Sequence, residues 1–361
     1  MLMVVNSWNE WDPLREVIVG SAQGAAEVAY EPALSPYFTP ANQKVETEAR
    51  RIPQELVDAA ERQLDDFAEL LAGMGIVVRR PDPIDHSVGI KTPDWQVVGG
   101  HASACPRDVL LVVGNEIIEA PMSQRARYFE FRAYRNLLKQ YFRQGARWTT
   151  APKPLMSDEL YNGPDPDRDS FDFASGPLLT EFEPAFDAAC FARFGRDIFW
   201  QPDLVSNDFG VEWLRRHLGP EFRIHRIEFR ERTPTHIDTT LVPIRPGLVL
   251  TNPERPCTSG LPQLFAKNDW QVVAAPPSVR TGPSPAHDVS NWISMNILML
   301  DGRTAMVEAA EKPMIELLRL LGCEVIPCAF DRVYPFGGGL HCCTADIRRD
   351  GTRQSYFPTL D

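Results

Sequence analysis

The chain has 361 residues, of which 43% are hydrophobic and 24% are charged, and its formal net charge is -12. This composition is typical of a folded globular protein, and the acidic balance argues against a nucleic-acid partner, which would need an excess of Lys and Arg. No apolar run approaches the ~20 residues that cross a bilayer, and Met1–Trp8 has the pattern of neither a secretory signal nor a transit peptide, so we expect a cytoplasmic protein without a membrane partner.

The first predicted unit, between Pro53 and Pro81, is a helix followed by a short strand. Apolar residues recur at every third or fourth position, which predicts one buried helix face. These residues are Leu56, Ala60, Leu64, Phe67 and Leu71. Pro53 suits the start of the helix and Gly75 its end, and the run Ile76–Val78 predicts a buried strand.

The same outline of helix, break and strand appears four more times along the chain. The predicted helices are Tyr134–Phe142, Trp213–Leu218, Leu264–Asn268 and Met314–Leu321. The strands predicted to follow them are Trp148–Ala151, Phe222–Ile227, Trp270–Ala274 and Val325–Cys328. Short strands are also predicted ahead of most helices, at Val109–Val113, Ile117–Ile118, Asp197–Trp200, Leu248–Thr251 and Thr304–Val307.

These elements form five degenerate units of strands, helix and strand at uneven spacing, so they are not a sequence repeat. By pattern alone, an ordinary α/β domain with mixed sheets explains them better than five equivalent modules. No Gly-Ser or charged linker divides the chain, which predicts one domain over residues 1–361. Two segments rich in Pro and Asp, Tyr161–Asp169 and Thr281–Asp288, predict surface loops.

A glycine-rich segment near the C-terminus, Gly337–Gly339, is followed by Leu340, His341, Cys342 and Cys343. Glycines let the backbone approach a ligand closely, and a Cys after such a loop can meet a substrate as a nucleophile. On a strand, His341 would point to the opposite face from Cys342, so it is a poor candidate for the base that ionises the thiol. The segment also fits a turn before a buried strand with two core cysteines.

A second segment, Thr235–Thr240, carries His236 and Asp238 two positions apart. On a strand this spacing places both side chains on one face, where they could act as a general acid/base with an acidic partner for a cationic substrate. A surface His-Asp pair on a strand would have the same spacing, so the segment by itself does not decide between the two.

Three further charged residues lie where apolar runs begin or end. Asp108 precedes the run Val109–Val113, Asp187 lies beside an apolar run, and Arg255 follows the predicted strand Leu248–Thr251. Asp residues are common in turns at strand ends, whereas an Arg in a turn can either clamp a carboxylate or remain solvated. The seven cysteines lack the spacing of a tetrahedral zinc site, so no metal is expected.

Taken together and in this order, these segments resemble the arginine amidinotransferase family, which includes arginine:glycine amidinotransferase and the inosamine-phosphate amidinotransferases. The likeness runs from about Asn6 to Tyr356. The stretches that carry it are Val113–Met122, Trp148–Pro154, Phe186–Ala189, His236–Asp238 and Gly337–Cys342. The resemblance implies a pentein-like α/β propeller of five ββαβ modules around a pseudo-fivefold axis, with one central site built from loops of several modules.

The resemblance also implies a reaction in which the amidino group of arginine passes to an amine acceptor through a covalent amidino-cysteine, with release of ornithine. Cys342 matches the family's nucleophile and His236 its general acid/base. Asp108 and Asp187 match the carboxylates that hold the guanidinium. By the same resemblance, Asp187 is expected to be catalytic, together with Cys342 and His236. Asp238 matches a further acidic contact to the substrate beside His236.

Four other positions concern substrate binding by the same resemblance. Arg255 resembles the clamp for the substrate α-carboxylate, and Ser290 a hydroxyl near that carboxylate. Thr233 and Thr235 take the first and third positions of the tripeptide before the catalytic His, where the glycine-using enzymes carry Asn and Met. Because these positions line the region that senses the acceptor, we expect either glycine or another primary amine of a specialised biosynthetic pathway. No metal or organic cofactor is implied, and the family commonly forms homodimers.

Two other functions use the same residue types. An arginine deiminase-like guanidine hydrolase would use the same Cys, His and acidic residues with water as the second nucleophile, and would form citrulline. A catalytically silent arginine-binding protein would lack the nucleophile or the base, and both are present here as Cys342 and His236.

Overall fold

The computed structural model describes residues 3–37, 49–162, 177–230, 235–280 and 290–360. The loop predicted over Thr281–Asp288 lies outside these ranges, as do Thr233 and most of the loop predicted over Tyr161–Asp169. Within the described ranges, no helix combines the length and the apolar character needed to cross a membrane.

Helices and strands alternate along the described part of the chain. The helices are α1 (Gln54–Gly73), α2 (Pro106–Val109), α3 (Arg135–Arg143), α4 (Asp208–Leu218), α5 (Leu261–Lys267) and α6 (Lys312–Leu320). The strands are β1 (Leu14–Val19), β2 (Val77–Arg79), β3 (Ile90–Lys91), β4 (Gln96–Val97), β5 (Leu110–Val113), β6 (Glu116–Glu119), β7 (Arg147–Thr150), β8 (Phe191–Phe194), β9 (Asp197–Trp200), β10 (Arg223–Arg226), β11 (Leu241–Arg245), β12 (Leu248–Thr251), β13 (Gln271–Ala274), β14 (Leu298–Met299), β15 (Thr304–Glu308), β16 (Glu324–Cys328) and β17 (Thr344–Arg349).

The five predicted helices are all present, with ends shifted by a few residues. The largest shift is at the start of α4, which precedes the predicted Trp213. The Asn207 side chain caps this helix by accepting a hydrogen bond from the Gly210 backbone N–H at 2.9 Å. A capped helix N-terminus is stable one turn or more before its apolar face begins, which explains the earlier start.

Five of the sheets in the described residues have three strands and share one pattern. Each central strand, which is β1, β6, β9, β12 or β15, pairs antiparallel with one neighbour and parallel with the other. An α-helix connects the two parallel strands of each sheet, as a parallel pair requires a crossover. In the first sheet the antiparallel neighbour of β1 is β17, so the two ends of the chain are joined by hydrogen bonds.

Strands differ in burial according to their place in the sheet. The run Ile76–Val78 predicts a buried strand, but the observed β2 exposes 38% of Val77. The prediction was wrong because β2 is the edge strand that pairs parallel with its neighbour, and such strands are partly exposed in the five sheets. The antiparallel edge strands, such as β5 and β8, are buried. On α1 the buried face contains Val57, whereas the predicted Leu56 is 41% exposed.

A buried ionic network links the N-terminal segment to α2, β8 and β17. Arg193 donates to Glu10 at 2.8 Å and to Asp346 at 3.0 Å, and Arg107 donates to the same two carboxylates at 3.2 and 2.7 Å. Arg349 adds a contact of 2.9 Å to Asp346. Burial alone would raise the pKa of Glu10, but the Arg193 and Arg107 guanidinium groups hold that pKa well below its usual range. The carboxylates are therefore ionised and fixed in position.

Candidate active site

Cys342 lies in the turn that leads into β17, directly after the glycine segment. Gly337 has φ +104°, which favours glycine, and a Cβ on Gly338 would lie 2.4 Å from the Cys342 Cβ. A Cβ on Gly339 would lie 2.9 Å from the Asn296 side chain. The glycines are thus needed for the chain to fold tightly around Cys342, which is only 3% exposed.

The Cys342 thiol has two polar neighbours. It donates to Asp238 Oδ2 at 3.1 Å and accepts from Asn296 Nδ2 at 3.1 Å. The Asn296 Oδ1 also accepts from the Cys342 backbone N–H at 2.9 Å, so one amide fixes both the backbone and the sulfur. Burial raises the pKa of the Cys342 thiol well above its usual range, and the Asp238 and Asp108 carboxylates raise it further. The resting group is therefore a neutral thiol.

His236 is placed differently from the prediction. The sequence predicts a strand with His236 and Asp238 on one face, but only His236 is extended and a 3-10 turn, Ile237–Thr239, follows it. The turn separates the two side chains, so they have different partners. His236 Nε2 lies 3.2 Å from Asp187 Oδ2, and its Nδ1 lies 3.7 Å from Asp108 Oδ1.

The charges around His236 keep its imidazole protonated. Burial would lower its pKa, but the carboxylates of Asp108 and Asp187 outweigh that effect and raise the pKa to about 9. An imidazolium that is buried beside a thiol can serve as a general acid at neutral pH.

Asp108 and Asp187 come from separate parts of the chain. Asp108 lies in the short helix α2, and Asp187 immediately precedes a 3-10 turn ahead of β8. Both carboxylates are buried, and each has one oxygen, Oδ1, without a hydrogen-bond partner among the described residues. Buried polar atoms are nearly always hydrogen-bonded, so two such oxygens in one site indicate a place for a ligand with N–H donors.

Arg127 supports both carboxylates, and no sequence motif pointed to it. Its Nη1 lies 2.9 Å from Asp108 Oδ2 and 3.5 Å from Asp187 Oδ2. Its Nε and Nη2 donate to Glu130 at distances of 2.9 to 3.2 Å. Burial raises the pKa of Asp108, an effect that His236 and Arg127 oppose. Arg127 therefore fixes the two carboxylates with their free oxygens on the other side.

We expect the change Arg127→Met to destabilise the protein by about 3–5 kcal/mol, because it leaves three buried carboxyl groups without their shared cation. Urea unfolding followed by circular dichroism measures this free energy. Arg132→Met is the matched control, since Arg132 is an exposed arginine in the short helix Glu130–Tyr134, which follows Arg127. A loss below about 1 kcal/mol for Arg127→Met would contradict the assigned role.

Asp238 lies within the 3-10 turn and points toward the nucleophile. Besides the Cys342 thiol, its Oδ2 contacts His341 Nδ1 at 2.9 Å. Burial would raise the pKa of Asp238, but the contacts with His341 and the charge on His236 lower it to about 2. Asp238 is therefore an ionised carboxylate beside the thiol, as expected for an acidic contact to a cationic substrate.

The predicted carboxylate-binding residues are also adjacent. Arg255 Nη2 lies 3.3 Å from Ser290 Oγ, and its Nη1 donates to the hydroxyls of Thr239 and Thr240 at 2.8 and 3.0 Å. Arg255 is therefore anchored on the turn that carries Asp238. Thr235 directly precedes His236 and is half-buried, whereas Thr233 lies outside the described residues.

Ligand atoms of Asp108, His236 and Cys342 lie within 4.8 Å of one another, close enough to surround a small cation. Two Asp oxygens of this site, the Oδ1 atoms of Asp108 and Asp187, accept no hydrogen bond in the described residues and are open to a cation. A metal ion or a planar organic cation with N–H donors could satisfy them.

Comparisons with known proteins extend over almost the whole chain. The chain is 48% identical over 362 aligned residues to the mitochondrial glycine amidinotransferase of Gallus gallus, which covers 98% of this chain and 85% of that protein. It is 44% identical to the L-arginine:L-lysine amidinotransferase of Pseudomonas savastanoi pv. phaseolicola, with 98% of this chain and 96% of that protein covered. The scan against family models found no match.

Solved structures give the same result. The amidinotransferase SxtG of the saxitoxin biosynthetic pathway from Microseira wollei is 46% identical, with a TM-score of 0.89 over 98% of this chain and 99% of that chain. The inosamine-phosphate amidinotransferase of Streptomyces griseus is 37% identical, with a TM-score of 0.88 over 99% and 100%. A dimethylarginine dimethylaminohydrolase, 12% identical with a TM-score of 0.59 over 92% and 98%, shares the fold, which is an α/β fold of the pentein type.

Proposed function

The chain belongs to the amidinotransferase family, and from this premise we propose how its own side chains move the amidino group of arginine to an amine acceptor. Two observations support the proposal. The similarity to named amidinotransferases covers 98% of the chain and supports the reaction type. The proposed position of the substrate rests on two buried Asp oxygens, which have no hydrogen-bond partner among the described residues.

Arginine binds with its guanidinium between Asp108 and Asp187 and its α-carboxylate at Arg255. The free Oδ1 atoms of the two Asp residues accept N–H groups of the guanidinium, and Asp238 faces the same cation from the side of the thiol. The Arg255 guanidinium pairs with the α-carboxylate, and the Ser290 hydroxyl adds a hydrogen bond. Holding both ends of arginine orients the central guanidinium carbon toward the Cys342 sulfur.

In the first half-reaction, the positive charge of bound arginine favours the thiolate, so the Cys342 thiol gives its proton to solvent as arginine binds and takes one back when the product leaves. The sulfur then forms a bond to the guanidinium carbon. His236 donates its proton to the nitrogen that carries the ornithine side chain, and the bond between this nitrogen and the carbon breaks with its electron pair on nitrogen. Ornithine leaves, the amidino group remains on Cys342, and His236 is neutral.

In the second half-reaction, neutral His236 takes a proton from the incoming amine, whose nitrogen attacks the amidino carbon. The bond from carbon to sulfur breaks, so Cys342 returns as thiolate, His236 returns as imidazolium, and the guanidino product leaves. Water in place of the amine would hydrolyse the amidino-cysteine to urea. Cys342 is 3% exposed and His236 is 9% exposed, which supports exclusion of water from the intermediate.

We also propose that the five three-stranded sheets are the blades of one propeller in a single domain of residues 1–361, with the site near the pseudo-fivefold axis. The shared pairing pattern of the five sheets supports this arrangement, as does a site built from α2, the segment before β8, the turn before β11 and the turn before β17. A cytoplasmic homodimer remains our expectation, which light scattering and cell fractionation can check.

The acceptor is glycine or another primary amine of a specialised biosynthetic pathway. The relatives differ in the acceptors that their names state, which are glycine and lysine among the curated proteins. Thr235 is smaller than the Met expected for a glycine-using enzyme, and Thr233 and Thr235 both add hydroxyl groups. This difference supports testing amines larger than glycine.

The test is ornithine release from arginine against a panel of amines, with intact-mass detection of an amidino-enzyme. The panel contains glycine, lysine, ornithine homologues, small diamines and an aminocyclitol phosphate. Ornithine release that depends on one amine, with formation of its guanidino product, is the expected result. Citrulline or urea without acceptor dependence would identify a hydrolase, and arginine binding without any product would identify a silent binding protein.

A further inference from the structure

His341 lies between the buried ionic network and the nucleophile. Its Nε2 is 3.4 Å from Glu10 Oε2, and its Nδ1 is 2.9 Å from Asp238 Oδ2. The same Asp238 oxygen accepts the Cys342 thiol at 3.1 Å. A continuous line of contacts therefore runs from Glu10 through His341 and Asp238 to the sulfur.

The two ring nitrogens of His341 each contact a carboxylate, which limits how the ring can form hydrogen bonds. A neutral imidazole has one N–H donor and would face one of the two carboxylates with a lone pair. Glu10 is kept ionised by Arg193 and Arg107, and Asp238 has its pKa lowered to about 2. The ring can donate to both carboxylates only with a proton on each of its two nitrogens.

The surroundings fix His341 in this position. Arg107 Nε donates to the His341 backbone carbonyl at 2.8 Å, so the ionic network also holds the loop that carries the nucleophile. A cavity of about 20 Å³ borders Glu10, Asp238 and His341, and its other walls, contributed by the turn after His236, by β8 and β11 and by the segment leading into β14, are apolar. Within the described part of the chain, the charged groups in contact with the ring are Glu10 and Asp238. An apolar environment strengthens both ion pairs.

We propose that His341 is a positioning residue, which aims the Asp238 carboxylate at the Cys342 sulfur and offsets its negative charge so that the thiolate can form. The proposal rests on the proposed function for the role of Cys342. It differs from the sequence-based view, in which adjacent side chains on a strand point apart and His341 has no part in activating its neighbour. His341 and Cys342 lie in a turn, and His341 acts on the sulfur through Asp238.

The first test is the pH dependence of Cys342 alkylation by iodoacetamide in the enzyme without arginine, with Cys342→Ala as the blank. Removing the imidazolium leaves Asp238 uncompensated, which disfavours the thiolate. His341→Gln should therefore move the alkylation midpoint of Cys342 upward by about one pH unit. His217→Gln is the matched control, since His217 also contacts a buried carboxylate, Glu116, at 2.9 Å, and it should leave the midpoint unchanged.

The second test compares two neutral replacements in steady-state transfer. His341→Asn keeps an amide N–H near the position of Nδ1 and so keeps a donor to Asp238, whereas His341→Gln reaches toward Glu10 and loses that donor. We expect kcat to fall by about 10–100-fold in His341→Gln, with a smaller change in KM for arginine, and the loss to be partly restored in His341→Asn.

An unshifted alkylation midpoint in folded His341→Gln would overturn the proposal. So would an equal fall in kcat in the two variants that matches their loss of folded protein, since His341 would then be a structural residue. Alkylation requires neither arginine nor acceptor, so this outcome is separate from a failure of the proposed function. That failure would be seen as amidino transfer that persists in Cys342→Ala.

Discussion

Replacing Cys342 by alanine should abolish ornithine release and the amidino-enzyme, with a loss of at least about 10⁴-fold in kcat. The expectation follows from a covalent mechanism, since no other group can hold the amidino carbon between the two half-reactions. Cys342 is the cysteine whose sulfur contacts Asp238, and its neighbours Asp108 and His236 surround the proposed guanidinium site. Ornithine assays and intact mass after incubation with arginine measure the two effects.

Cys343→Ala is the matched control for this change. The Cys343 side chain is fully buried, and its sulfur contacts that of Cys105 at 4.0 Å and not a carboxylate oxygen of the site. Removing its thiol should leave the amidino-enzyme intact and cost some stability as a core truncation. Retained transfer in Cys342→Ala, with a thermal unfolding curve like that of the parent protein, would refute the covalent route.

Replacing His236 by asparagine should lower kcat by about 10²–10⁴-fold, because the leaving nitrogen of ornithine then departs without a proton donor. The defect should be smaller for an arginine analogue with a less basic leaving nitrogen, since such a group needs less protonation. His225→Asn is the matched control, as His225 contacts the buried Asp197 at 2.7 Å away from the site. An equal defect with both substrates would contradict the role of general acid.

The same variant tests the charge on His236. Its folded-state pKa of about 9 lies above the ordinary 6.5, so protonated His236 stabilises the fold fully below pH 6.5. This contribution is lost as the pH rises toward 9. The difference in free energy of unfolding between the parent protein and His236→Asn should therefore shrink from pH 6 to pH 9, by an amount on the order of 3 kcal/mol. Urea unfolding at the two pH values checks the sign, and a difference that grows would contradict it.

The helices and strands were largely predictable because their signals are local. Apolar residues at every third or fourth position predict α1 whatever surrounds it, and Gly75 and Pro53 mark its ends within a residue or two. The five repeats of strands, helix and strand were visible for the same reason. Which edge of a sheet is exposed could not be predicted, as β2 shows, because exposure depends on what packs against a strand.

The candidate site was also predictable only in part. The motifs around Cys342, His236 and Asp187 were found in the sequence because a resemblance to a family compares residues one position at a time. The turn that separates His236 from Asp238 was missed, since alternation along a strand was assumed where the backbone forms a 3-10 turn.

The sequence by itself determined the order of helices and strands and the family, and it supplied the candidates for the reacting side chains, because each of these depends on short stretches of chain. Only the tertiary structure decided the partners that tune them. Asn296 reaches Cys342 from 46 positions away, and Glu10 reaches His341 from 331 positions away. Such contacts depend on how distant segments are placed in space, and the energies of buried charges depend on burial and distance, neither of which leaves a local pattern in the sequence.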